Sequence, residues 1–94
     1  MSDIKNILYK DHAILRMLER GISKNEVLEV IQKGEIIELY NDDYPYPSHL
    51  MFKMIGAKPL HVVVAYNKDE VQQIIVTVYI PDSTTFANDF KTRK

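Results

Sequence analysis

Between Asp11 and Arg20, Ala13, Leu15, Met17 and Leu18 sit among polar residues at helical spacing, while His12, Arg16 and Arg20 recur at every fourth position. This predicts a short amphipathic helix ended by Gly21. Ser23 followed three residues later by Glu26 is a capping box, with Ile22 and Val27 at the positions of a hydrophobic staple. A second helix therefore starts there, with Val27, Leu28 and Ile31 as its apolar stripe and Gly34 as a left-handed terminator.

Beyond Gly34 the period falls to two, and four strands are predicted: Glu35 to Asn41, His49 to Ile55, Leu60 to Asn67 and Gln73 to Ile80. Asp42 to Pro47 cannot continue a ladder, because two prolines lack donors and paired aspartates favour turns. Gly56 to Pro59 and Lys68 to Gln72 turn the chain between the later strands, and Pro81-Asp82-Ser83 stops the last. Helices precede strands without alternating with them. The expected fold is α+β: two N-terminal helices packed on a four-stranded antiparallel sheet, in one domain spanning residues 1–94 with a polar tail from about 83.

Strand periodicity sorts the faces. In the third strand Leu60, Val62, Val64 and Tyr66 oppose His61, Val63 and Ala65; in the fourth, Ile74, Val76, Val78 and Ile80 oppose Ile75, Thr77 and Tyr79. The first set on each strand is the expected helix-facing core. Pairing Asn67 with Gln73 sets His61 opposite Tyr79, an imidazole and a phenol on the more polar face. Such a pair can move protons near neutral pH, or serve only as an ordinary cross-strand contact.

His12, Arg16 and Arg20 form a helix stripe able to hold a phosphodiester, the arginines as fixed cations and the histidine as proton carrier; a solvated charged face with Glu19 is the other reading. His49 and Lys53 are placed on the outer face of their strand, extending the polar surface toward His61. Tyr44 and Tyr46 with their prolines suit base stacking, or a rigid turn that covers the sheet edge. Lys91 to Lys94 reads as phosphate contact or as a solvated terminus.

Composition narrows the function classes. At 94 residues, 46% hydrophobic and 27% charged, the chain is a folded domain and not a disordered segment. It has no cysteine, which excludes disulfides and cysteine-ligated metals and fits a reducing compartment, with the cytoplasm as the default. The Met1 to Lys5 start has no leader character, and no run is long enough to span a membrane. Three histidines make no metal motif, so neither metal nor cofactor is assigned. A net charge of -1 supplies no global field for nucleic acid, so any such site must be local.

The run His12 to Ser23, joining His-Ala, Arg-Met and Arg-Gly-Ile, resembles the opening motif of a family of short bacterial proteins of unknown function. Gly34 to Glu38, Asp43 to Ser48 and Pro59 to Tyr66 follow the same family in order, so the resemblance spans roughly residues 9 to 82. Members are grouped with RelE-like and MqsR-like toxins and are often encoded beside a small zinc-finger antitoxin of the YgiT or MqsA type. The resemblance implies a RelE-like toxin fold and metal-independent endoribonuclease activity by attack of the RNA 2′-hydroxyl, with RNA and a cognate antitoxin as partners. On that reading His12 and His61 exchange protons, Arg16 and Arg20 steady the phosphate, Tyr79 orients, and Tyr46 and Lys53 bind substrate. Family positions are His12, Arg16, Arg20 and His61; Tyr79 comes from the strand pattern. A non-catalytic protein-binding module and a nucleic-acid-binding regulator are the alternatives, and an exposed edge is open to a homodimer or an added strand.

Overall fold

The computed structural model describes residues 6–94; the Met1 to Lys5 start lies outside the described residues. The elements run β1 (Ile7–Tyr9), α1 (Asp11–Arg20), α2 (Lys24–Lys33), β2 (Glu35–Tyr40), β3 (Ser48–Ile55), β4 (Lys58–Asn67) and β5 (Gln72–Tyr79). The strands form one sheet in the order β1-β5-β4-β3-β2. The class is α+β, but the sheet is five-stranded and mixed, because β1 precedes the helices and pairs parallel to β5. This corrects the expected four-stranded antiparallel sheet and the RelE-like layout drawn from it. Three residues are too few for a period to register, so Ile7-Leu8-Tyr9 carries no strand signal of its own.

Both helices pack on one face. Ala13, Met17, Val27, Val30 and Ile31 join Met51, Leu60, Val62, Val64, Ile75 and Val78 in a single buried cluster, and Ile22 lies in it as well. The capping box is formed: Ser23 Oγ accepts from the Glu26 amide at 3.1 Å, and Glu26 Oε1 accepts from the Ser23 amide at 2.9 Å. Gly21 ends α1 in the left-handed region at φ 66. Gly34 does not: at φ -78 and ψ 178 it is extended, and the need for glycine there is close approach. A Cβ would lie 2.5 Å from the Val30 carbonyl oxygen and 2.8 Å from that of Phe52.

The β4–β5 ladder carries the main departure in register. Asn67 pairs with Gln72, not Gln73, and a bulge opposite Val63 and Val64 takes up the extra residue Val76, so that Val62 faces Val78 and His61 faces Tyr79. The bulge reverses the alternation between its two sides. Ile75 joins Val78 in the helix-facing core, whereas Ile74, expected there, shares the outer face with Ala65.

Candidate functional site

The outer face is built in rows by the register. One row is Tyr40, Ser48, Ala65 and Ile74; the next is Glu38, Leu50, Val63 and Thr77; the third is Glu35, Phe52, His61 and Tyr79. The segment after β5 folds across the third row. Asp82 Oδ1 accepts from the amides of Thr84 and Thr85, and Asp89 Oδ1 from those of Lys91 and Thr92, so two aspartate-headed turns shape it. The Asp89 carboxyl is held down to about 2 by the amides of Thr92 and Lys91. Phe86 is buried, and Lys91 Nζ reaches Glu35 Oε1 at 3.2 Å.

His61 is thereby sealed, with 0% exposure. Its Nε2 lies 2.6 Å from the Phe90 carbonyl oxygen, which can only accept, so Nε2 carries the proton. Nδ1 accepts from the Tyr79 hydroxyl at 3.2 Å. The Phe52 and Phe86 rings stand nearly perpendicular to the imidazole at centroid distances of 5.7 and 4.6 Å. Burial pushes the imidazole pKa below its usual 6.5 against the raising effects of Phe90 and Glu38. Burial likewise raises Tyr79. The pairing read from sequence is present, but His61 is an interior neutral hub with both ring nitrogens engaged by protein.

The reachable chemistry of this face lies beside it. Arg93 donates to Glu38 through Nε at 2.7 Å and Nη2 at 3.1 Å, a two-pronged pair. The Tyr40 hydroxyl donates a short bond to the same carboxylate. The Arg93 bonds, with help from Tyr40, hold the Glu38 carboxyl below the ordinary range, and burial with the Glu38 contact raises Tyr40. Arg93 also lies over the Phe86 ring at 4.9 Å and is half-exposed. Sequence reading missed this group because the β2–β3 register shift between Ile36 and Glu38 puts Glu35, Glu38 and Tyr40 on one face, which plain alternation cannot do. The legible signs were Glu38 within the run that resembles the family and Arg93 within the basic Lys91 to Lys94 run.

The other residues fall elsewhere. His12, Arg16 and Arg20 lie on α1, in the layer on the opposite side of the sheet from His61, because Val62 and Val64 of the helix-facing core alternate with His61 on β4. The helix stripe and the His61–Tyr79 pair therefore do not share one cleft. His12 and Arg20 are exposed, and Arg16 Nη1 pairs with Glu19 at 2.8 Å. His49 and Lys53 are on the helix side, since His49 faces Val64 and Lys53 faces Leu60; this corrects their outer-face placement. Lys53 Nζ pairs with Glu29 of α2 at 3.0 Å, and burial lowers the His49 pKa. Among the described residues no group of three or more His, Asp or Glu is placed to hold a metal.

Tyr46 accepts from Asn67 Nδ2 at 3.0 Å, which fixes the 41–47 loop against the sheet end. Under that loop lies a cleft of about 260 Å³, floored by Ser48, Ala65, Ile74 and Val76 and walled by Asp43, Tyr44, Pro45, Tyr46 and Lys10. A second hollow of about 310 Å³ continues past Pro45 and Tyr46 to Tyr66 and Lys68.

These features define a small α+β domain with a helix-covered face and an opposite face that carries a carboxylate–guanidinium–phenol group and a tyrosine-walled cleft. Residues 9–80 match a domain of unknown function, DUF4258, and the chain belongs to that family. No curated protein and no solved structure matches it. The match stops before residues 81–94, so the segment that seals His61 and supplies Arg93 lies outside the matched region. Among the described residues no helix is long and apolar enough to cross a membrane.

Proposed function

We propose that this chain is a toxin-type endoribonuclease that cleaves RNA without metal, through attack of the 2′-hydroxyl on the adjacent phosphate, and that its centre is Glu38, Tyr40 and Arg93. The observation that carries this reading is the two-pronged Arg93 bond to a carboxylate that also accepts from a phenol, at the accessible side of the outer face. A phosphate suits the same guanidinium fork as a carboxylate does. Transfer of Arg93 from Glu38 to phosphate removes the main contact that depresses the carboxyl, so Glu38 becomes a stronger base when substrate is present. Glu38 then takes the 2′-hydroxyl proton, Arg93 meets the charge gathering on phosphorus, and Tyr40 is the nearest proton donor for the leaving oxygen.

In this scheme His61 and Tyr79 are positioning residues: His61 anchors the Phe90 carbonyl three residues before Arg93. The grouping with RelE-like and MqsR-like toxins that the sequence resemblance implies supports the same activity. A zinc-finger antitoxin belongs to the proposal as partner, and the exposed Ile36 and Leu39 on edge strand β2 offer it a place for strand addition.

The test is incubation of the full chain with single-stranded RNA in the presence of a chelator. Wild type is expected to leave 2′,3′-cyclic phosphate ends and to spare DNA, with Glu38→Gln and Arg93→Ala each at least about a hundredfold slower. Intact RNA with folded wild type, or undiminished cleavage by Glu38→Gln, overturns the proposal and moves the reading to a non-catalytic binding module.

A further inference from the structure

The cleft beneath the 41–47 loop has features that neither the Glu38 centre nor the core requires. Tyr44 is 94% exposed, although it stands in a loop braced by Pro45, Pro47 and the Tyr46–Asn67 bond. Its neighbour Asp43 lines the same cleft, and Ser48 Oγ donates to Asp43 Oδ2, which fixes the carboxylate and leaves Oδ1 and the second lone pair of Oδ2 to accept from a ligand. Lys10 stands on the rim. At about 260 Å³ the hollow is at the small end of ligand sites, the scale of one nucleoside and not of a docked chain.

We propose that this cleft binds a guanine base, stacked against Tyr44 and Tyr46 and read by the Asp43 carboxylate. Guanine presents two adjacent N–H donors, N1–H and the exocyclic amine, on its Watson–Crick edge, and a carboxylate matches them as acceptor. Adenine presents an acceptor at N1 and so sets a lone pair against the carboxylate. Tyrosine faces give sequence-tolerant stacking, so the choice of base falls to Asp43. Lys10 meets the phosphate of the bound nucleotide, and the adjoining hollow with Tyr66 and Lys68 takes its neighbour along the strand.

This deepens the endoribonuclease reading, on which it rests for its natural substrate. The Tyr40–Ser48–Ala65–Ile74 row joins the Tyr40 end of the proposed centre to the cleft floor, so one strand lying along the face meets both.

The probe is 5′-GMP against 5′-AMP, titrated into the full chain by calorimetry or ligand-observed NMR. Mononucleotides contain no scissile linkage, so the result is independent of whether the chain cleaves RNA. GMP is expected to bind about tenfold or more tightly than AMP. Asp43→Asn, which keeps an oxygen for Ser48, is expected to bring the two affinities together, and Tyr44→Ala to weaken both. Equal affinity for the two nucleotides in wild type, no binding of either at millimolar concentration, or a preference that survives Asp43→Asn overturns the inference. A guanine preference in a chain that leaves RNA intact keeps this inference and removes only the cleavage proposal.

Discussion

His61 shows how one side chain changes meaning between sequence and structure. A histidine alternating with valines opposite a tyrosine reads as a surface proton carrier, yet it is fully buried, with its proton committed to Phe90 and its lone pair to Tyr79. The residues that bury it, Phe86 and Phe90, are more than twenty positions away in a stretch whose composition reads as solvated tail. Its truncation removes a packed ring and strands two polar partners at once. His61→Ala is expected to cost about 3 to 5 kcal/mol in chemical denaturation. A loss below about 1 kcal/mol would mean that the seal over the third row is not a stable part of the fold. Glu38 makes the opposite point: it read as one polar position in a strand, and only its register beside Arg93 gives it chemistry.

At the scale of elements, the helix starts and stops were the most legible features, because capping is a local matter of side chain and backbone within one turn. The capping box at Ser23 and the helix end at Gly21 are present as the sequence predicts, and both involve residues within five positions of each other. Gly34 was read as a stop for the wrong reason. What requires glycine is close approach on two sides, by the Val30 carbonyl oxygen at the end of α2 and by the Phe52 carbonyl oxygen of β3, and the second is a contact that no local pattern encodes. Gly34→Ala is therefore expected to cost roughly 2 kcal/mol, since the colliding atoms are backbone carbonyl oxygens that cannot rotate away. A thermal melt unchanged by this substitution would show that α2 and β3 separate easily. The strand signals gave number and order from β2 onward, but missed β1 and the compensating bulge. A bulge trades one residue of register for a reversal of faces, and the run Ile74-Ile75-Val76 is apolar on both alternations, so the pattern does not mark where the faces exchange.

For the molecule as a whole, the sheet separates two surfaces: the charged stripe of α1 on one side, and the sealed histidine, the Glu38–Arg93 pair and the tyrosine cleft on the other. This layering decides the pH response. His61 has a folded pKa below the ordinary 6.5, as does His49, so above 6.5 both states are neutral and stability is complete. As pH falls below 6.5 the unfolded chain takes up protons that the fold refuses, and stability declines until the folded values are passed. Glu26 and Glu38, both lowered, add a further loss below their ordinary 4.5. The melting temperature is thus expected to fall steadily from pH 7 to pH 5, and a flat or rising profile over that interval would contradict a neutral buried His61. The sequence by itself determined the α+β class, both helices, the capping box at Ser23 and the antiparallel run from β2 to β5. These follow from periodicity and local backbone chemistry, which act over a few residues. Only the tertiary structure decided the parallel β1, the bulges and with them the facing of His61 and Tyr79, the opposed placement of the two histidine clusters, and the folding of residues 82–94 across the sheet. Those depend on contacts between segments distant in sequence, where burial and close approach, not pattern, select the arrangement.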